Sequence, residues 1–437
     1  MARVTSSEPG TARRPAALPA GAALPHGFLR LIAAQFVSAL ADNALLILAI
    51  AWLAALGQPG WWAPLLKFSF TLSYVLLAPV VGPLADAWPK TRLMAWMNAL
   101  KLLGVLALAL QVHPVAAYAL VGLGAAGYAP AKYGLITEWV RPELLVRANG
   151  WIEVCVVCAA LFGTVLGGLL VSPGWLQSGA VRALLPPQRP VAEAHDLAAL
   201  TISLAVIGLL YAGSAWLQRA VPDSGVRYPA AQRHPRRLLQ DFRRANRQLW
   251  ADPLGGLSLS VTTLFWGVGA TLQFAVLRWA GQALGLSLAQ AAYLQAVVAV
   301  GVMAGAALAG RFVPMSRARS VLPVGVLLGL GTAAAALVDQ LHLAIAMLAL
   351  VGAIGGVLVV PMNALLQHRG HQLLTAGRSI AVQGYNENLS ILVMLSAYAA
   401  LVAVDVDIVA FMVGFGLLIA AAMAALMLHH RHKGVPP

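Results

Sequence analysis

Apolar residues dominate long stretches of this chain with no alternating pattern. Each stretch runs for about 20 residues or more, the length a helix needs to cross ~30 Å of hydrocarbon. Spanning strands would instead appear as ~10-residue segments of alternating character. The pattern therefore predicts helices at 28–56, 61–83, 91–111, 114–136, 149–171 and 197–218, then at 254–279, 287–310, 319–338, 342–366, 376–403 and 406–428. The longest gaps between them are 172–196 and 219–253.

One stretch has a different period. In Pro235–Trp250, Leu238, Phe242 and Leu249 recur at helical spacing, and Arg236, Arg237, Arg243, Arg244 and Arg247 cover the rest. This is a basic amphipathic helix, expected to lie on the cytosolic membrane surface. It divides the spans six and six. The expected organisation is a disordered cytosolic tail (1–27), a six-helix bundle (28–218), an amphipathic linker (219–253), a second six-helix bundle (254–428) and a short tail (429–437). The fold class is an all-α membrane protein.

Composition identifies the solvent. Of 437 residues, 60% are hydrophobic and 10% charged, and mean hydropathy is +0.80. Soluble domains average roughly 25% charged residues, so lipid surrounds most of this chain. The net charge of +14 is scattered over loops, which marks topology with membrane lipid as counter-charge and excludes nucleic acid as a partner. With both termini cytosolic, only Lys67, Lys101, Lys132, Arg182, Arg189 and Arg278 of the 29 Lys and Arg residues fall off the cytosolic side. The opposite loops carry Asp339, Asp405 and Asp407. Residues 1–26 lack the apolar core of a signal peptide.

The two halves show a weak repeat. Val121-Gly122 through Pro130-Ala131-Lys132 and Val351-Gly352 through Pro361-Met362-Asn363 are both the fourth span of their half, Gly-rich first and Pro-bearing near the end. Paired halves are a transporter plan, with substrate handled near the midplane. Between the second and third spans, Gly82-Pro83-Leu84-Ala85-Asp86 leads into Lys90 and Arg92. Gly82 lets helices approach, and Asp86 is suited to cap a helix or pair with a basic residue and so gate the closed state.

Other motifs carry no chemistry. Gly122-Leu123-Gly124-Ala125-Ala126-Gly127 matches a dinucleotide fingerprint but follows no strand, and reads as close helix packing. Cys155 and Cys158 lack partner ligands and read as small buried hydrophobes. His368, His371, His429, His430 and His432 read as loop residues. No metal, cofactor or catalytic residue is expected, and no enzymatic activity.

A charge at the bilayer centre costs ~2.5–3.5 kcal/mol on insertion scales, so buried polar residues point inward and to function. Gln35, Ser38 and Asp42, with Asn43, form a stripe on the first span. Tyr128 and Lys132 share a face of the fourth, and Gln383, Asn386, Glu387 and Ser390 one of the eleventh. The seventh carries Thr262, Trp266, Gln273 and Arg278. Asp42–Lys132 and Glu387–Arg278 are also possible structural ion pairs. Glu153 and Lys101 admit either role, and Lys67 is expected to snorkel outward.

Several blocks resemble one family. Ala34-Gln35-Phe36 through Asp42-Asn43-Ala44, Asn98-Ala99-Leu100-Lys101, Tyr128-Ala129-Pro130-Ala131-Lys132, Val146-Arg147-Ala148-Asn149-Gly150, Leu264-Phe265-Trp266-Gly267, Val360-Pro361-Met362-Asn363 and Ala381-Val382-Gln383 with Glu387-Asn388 are similar to the lysophospholipid transporters of the major facilitator superfamily. The Gly82–Arg92 motif resembles that superfamily's signature, with Pro89 where a second Gly is usual. The resemblance implies a flippase of the bacterial inner membrane, acting chiefly on lysophosphatidylethanolamine. It also implies a functional link to an acyltransferase/acyl-carrier-protein synthetase that re-acylates the lipid. The implied head-group site is Asp42, Lys132 and Glu387, with Lys132 on the phosphate and a carboxylate on the ammonium. In the resting state Lys132 would pair with Asp42 or Glu387. The family often has Arg at the position of Gln273; Arg278 is ~1.4 turns further on, off that face. A proton-coupled exporter of drugs or metabolites, using Asp42 or Glu387 as proton carrier, is the alternative; a receptor or scaffold on the same fold is a third.

Overall fold

The structure is a computed structural model describing residues 24–59, 62–184, 197–228 and 234–432. The expectations for residues 1–23 and 433–437, and for Arg189, fall outside them. Among the described residues, 12 helices are long and apolar enough to cross a membrane. They are α1 (Phe28–Ala55), α2 (Trp62–Ala87), α3 (Lys90–Ala109), α4 (Pro114–Trp139), α5 (Leu145–Leu170) and α6 (Leu197–Gln218). The second half holds α7 (Pro253–Ala283), α8 (Leu288–Phe312), α9 (Leu322–Ala336), α10 (Leu341–Leu373), α11 (Ala376–Ala403) and α12 (Ile408–His432). A linker helix (Pro235–Ala251) joins the halves. Successive spans reverse direction, so the start of α1, the end of α12 and the linker share one end of the molecule. We call it the linker end, and the other the far end.

Local chemistry starts these helices. Asp252 caps α7 by accepting from the Gly255 N–H at 2.7 Å, with Pro253 in the first position where no N–H is needed. Ser287 and Gln290 form a reciprocal capping box at α8. Two helices outrun their apolar signal. α10 continues to Leu373 because its last turns are polar but still helical. α2 continues to Ala87 with Pro79 and Pro83 inside it. Four residues apart, Pro83 lacks the N–H that would otherwise bond to the Pro79 carbonyl. The stretch expected as a loop between the second and third spans is thus mostly helix, broken only at Trp88–Pro89.

Both Gly-rich fourth spans use glycine alike. A Cβ on Gly122 of α4 would stand 2.8 Å from the Phe70 Cα of α2. One on Gly352 of α10 would stand 2.2 Å from the Val298 oxygen of α8. Corresponding helices therefore touch backbone to backbone in each half, and the fingerprint-like glycines are packing residues.

The buried clusters define the conformation. At the far end, one core belongs to the first half (Leu48, Trp52, Tyr118, Leu204) and another to the second (Trp279, Leu294, Leu348, Met412). At the linker end a single core crosses the halves, joining Phe28, Leu135 and Ile152 to Ala306, Val359 and Val360. The halves are pressed together at the linker end and carry separate cores at the far end.

The linker helix departs from expectation. Its apolar stripe is turned to protein, not to lipid: Ala245 and Leu249 are buried with Leu259, Leu366 and Val382. Phe242 packs edge-on against Tyr385 with ring centroids 5.1 Å apart. The ends of α2, α10 and α11 offer enough apolar surface to bury the stripe there.

Candidate functional site

A cavity of about 320 Å³ lies between the halves. Lys132 and Tyr133 of α4 face Gln383 and Glu387 of α11 across it, with Gln35 of α1 and Trp266 of α7 also in the wall. Glu387 accepts from the Gln383 amide at 2.8 Å, and Gln383 also donates to the Asn363 oxygen at 3.0 Å. The Lys132 ammonium stands 4.0 Å from the centroid of the Tyr133 ring. Among the described residues neither Lys132 nor Glu387 has an ion-pair partner within 4.0 Å. A cation from one half and an acid from the other thus share one chamber unneutralised.

Both expected ion pairs are corrected. Asp42 pairs with Lys101 at 2.7 Å, not with Lys132, and also accepts from the Tyr211 hydroxyl at 2.7 Å. Lys101 is 2% exposed and donates to Ser38, which bonds Asn98, which bonds Ser214. This network lies inside the first half. Tyr128 belongs to it, with its hydroxyl held by Gln218 at 2.9 Å and its ring under Lys101. The Asn43 amide donates to the Ala39 carbonyl of its own helix and its Cβ faces Gly163 of α5. Asp42, Asn43 and Tyr128 therefore do not line the cavity wall. Arg278 faces Asp405 at 4.0 Å near the far end instead of Glu387. Gln273 lines a separate apolar pocket of about 100 Å³ within the second half, where its carbonyl accepts from Gln295. Lys67 is exposed and lines the cavity wall with Phe70, Thr71 and Tyr74 of α2.

The linker end is locked by hydrogen bonds between the halves. Asp86, 2% exposed, accepts from the Thr375 hydroxyl and from the Gly377 N–H at 2.8 Å, so it caps α11 of the opposite half. Gly82 makes room: its Cβ would stand 2.9 Å from that of Ala381. Lys90 acts within its own half, paired to Glu138 at 2.7 Å. Arg92 is exposed on the surface and takes no part in this lock. A strap after α6 covers the pair. Ser224 donates to Glu138, and the Tyr228 N–H donates to the Asp86 carbonyl. Burial, then the nearby Glu138 and Asp86 carboxylates, push the Tyr228 phenol up to about 12. A second lock went unassigned in the sequence: Asn149 of α5 and Gln367 of α10 exchange two amide bonds at 2.9 Å. Asn149 sits in a block that carried the family resemblance, but nothing in its spacing pairs it with Gln367.

These features define a two-bundle carrier with a central polar chamber, sealed at one end. The profile of the Major Facilitator Superfamily matches residues 31–384. Lysophospholipid transporter LplT of Citrobacter koseri is 39% identical over 408 residues, covering 93% of this chain and 96% of that relative. LplT of Serratia proteamaculans is 40% identical over 409 residues with the same coverage. The fold also matches two solved structures: the transporter FucP in the outward conformation (TM-score 0.72, 16% identity, 94% and 99% of the chains) and a bacterial homologue of the iron transporter ferroportin in an outward-facing state (TM-score 0.69, 16% identity, 93% and 100%). The chain belongs to the lysophospholipid transporter family of the Major Facilitator Superfamily.

Proposed function

We propose that this protein flips lysophospholipids, chiefly lysophosphatidylethanolamine, across the bacterial inner membrane to the cytosolic leaflet by alternating access. The carrying observation is the unpaired Lys132 and Glu387 on opposite walls of one cavity. A zwitterionic head group needs a cation for its phosphate and an acid for its ammonium; Lys132 and Glu387 supply them in this chamber, with Lys67 a second cation on its α2 wall. The ammonium of Lys132 serves as a point charge for phosphate. Glu387, oriented by Gln383, takes the amine. The acyl chain has apolar wall on α2 and α11, including Val81 and Ile391.

The resting state needs no exchange of Lys132 between internal partners. Substrate supplies the missing counter-charges, so the occupied chamber is easier to close than the empty one. Asp42, neutralised by Lys101, holds the first half rigid behind the site. The loop charge bias supports a cytosolic linker end and cytosolic termini, and on that topology the chamber opens to the opposite face. A lipid delivered inward is then available to a cytosolic-side acyltransferase/acyl-carrier-protein synthetase.

The test is flipping of labelled lysophosphatidylethanolamine by purified protein in liposomes, with and without a proton gradient. Flipping that the relatives' lipid supports and Lys132→Ala abolishes is the expected result. No lipid movement, with gradient-driven export of other solutes, would overturn the reading in favour of a proton-coupled exporter.

A further inference from the structure

We infer that the linker helix is an anionic-lipid-docking clamp that holds α2 against α11 and so stabilises the state closed at the linker end. The inference rests on the fold and does not depend on which substrate is carried.

Three observations carry it. First, the helix touches both halves. Phe242 and Ala245 line a gap with Pro79 and Pro83 of α2 and Ala381 of α11. On the α11 side Asn386 is held twice, accepting from the Trp250 indole at 3.1 Å and donating to Asn246 at 2.9 Å. The helix runs straight into α7 through Asp252, which Arg369 of α10 grips at 2.8 Å. It is therefore fastened to the second half, and α2 is the neighbour it must leave when the linker end opens.

Second, the helix packs beside the linker-end third of α2 and α11, the part of each span nearest the cytosolic head groups on the proposed topology. Tyr385 and Asn386 lie about ten residues, or ~15 Å, from the start of α11. Pro79 lies ~12 Å from the end of α2. At this level the exposed Leu239 and Trp250 form an apolar flank, 40% and 41% exposed.

Third, the charge is one-sided. At 100° per residue, Arg236, Arg237, Arg243, Arg244 and Arg247 occupy an arc of about 120°, nearly opposite the stripe of Leu238, Phe242, Ala245 and Leu249. All five arginines are exposed, and Asp241 is the single acid of the helix. Behind the arc, the seat carries Arg378 of α11 with Asp241 of the helix lining the same gap. The arc crowds like charges on one face of the helix, and seating fixes that face at one depth. Phosphate head groups at the same depth relieve that repulsion, which favours the seated state over the released one. An acidic lipid is chosen over an acidic protein because the arc adjoins a lipid-facing flank.

The experiment compares amide hydrogen exchange of the purified full chain in nanodiscs of phosphatidylcholine, with and without phosphatidylglycerol. Each arginine near an anionic surface contributes about a five-fold factor. Residues 235–251 and the linker ends of α2 and α11 should exchange at least about five-fold more slowly with phosphatidylglycerol, and salt should erase the difference. Replacing all five arginines by Gln should remove the response, and replacing them by Lys should keep it. A second variant, Phe242→Ala, loosens the seat without touching the charge. It should uncouple lipid from α2 and α11. Equal exchange in both lipids overturns the proposal, as does a response that survives in the five-Gln variant or protection of α2 that persists in Phe242→Ala. Because only protein and lipid are present, a response cannot come from an acidic protein partner.

Discussion

Removing the Asp86 carboxylate should open the linker end. Asp86 is 2% exposed and accepts two bonds from the opposite half, one from the Thr375 hydroxyl and one from the Gly377 N–H at 2.8 Å. A hydrogen bond to a charged group contributes about 1.5–3 kcal/mol after exchange with water. A negative charge at a helix N-terminus adds roughly 0.3–1 kcal/mol. The lower end of the sum, about 3 kcal/mol, shifts the closed-to-open ratio by about 100-fold. The assay uses Ala78→Cys, a buried cavity position, in a Cys155→Ser, Cys158→Ser background. An impermeant thiol reagent applied from the linker side should label it far faster when Asp86→Ala is added. Thr375→Val removes one of the two bonds and should shift the ratio by about ten-fold. Equal labelling with and without the Asp86 carboxylate would refute the lock.

Other consequences are as direct. Lys132→Ala should abolish lysophosphatidylethanolamine uptake at normal protein level, and Lys132→Arg should keep at most part of it; wild-type uptake by the alanine variant removes the phosphate role. Lys101→Met should destabilise the first half, by at most about 3–5 kcal/mol, because the half-buried Asp42 loses its ion-pair partner, and adding Asp42→Leu should recover much of that, measured by thermal unfolding in detergent. Asn149→Ala leaves the Gln367 amide unpaired in the closed state, which costs about 1–3 kcal/mol and should raise linker-side labelling at Ala78→Cys. Burial raises the Asp252 carboxyl, but bonds from Arg369 and from the Gly255 N–H outweigh it and hold the group below its ordinary value. Its stabilising contribution is complete above the unfolded carboxyl pKa of about 3.9 and is lost as pH falls through the lower folded value. Asp252→Asn should therefore flatten the acid limb of the unfolding curve.

The spans were legible because hydrocarbon imposes one rule on every residue facing it. Where that rule lapses, legibility lapses too. The polar turns of α10 beyond residue 366 and the motif end of α2 are helical for reasons hydropathy does not record. Lys132, Gln383 and Glu387 were legible as inward-facing polar groups on apolar spans, and all three line the cavity. Their partners were not. A stripe on α1 shows that Asp42 points inward, but not whether inward means the cavity or the bundle core. Lys101 on α3 decides that, and the two residues are brought together only by how α3 sits beside α1. Asn149 and Gln367, 218 positions apart, meet for the same kind of reason.

How the charges are distributed explains how such a molecule can move. Inside the first half, Lys101 is neutralised by Asp42 and Lys90 by Glu138, both at 2.7 Å. These pairs need not break when the halves rock as units, as alternating access requires. Between the halves no ion pair is found among the described residues. The Asn149–Gln367 bond is neutral, and its parting leaves two amides that water satisfies at little cost. Asp86 is charged, but it lies in the last turn of α2, where water arrives as soon as the halves separate. A buried inter-half ion pair would instead strand a charge whenever the carrier opened, at about 3–5 kcal/mol. Lys67, Lys132 and Glu387 line the chamber without an ion-pair partner among the described residues, and in the proposed carrier Lys132 and Glu387 take theirs from the lipid. In the proposed carrier, the barrier to moving empty and the advantage of moving loaded have one origin: chamber charges with no ion-pair partner among the described residues.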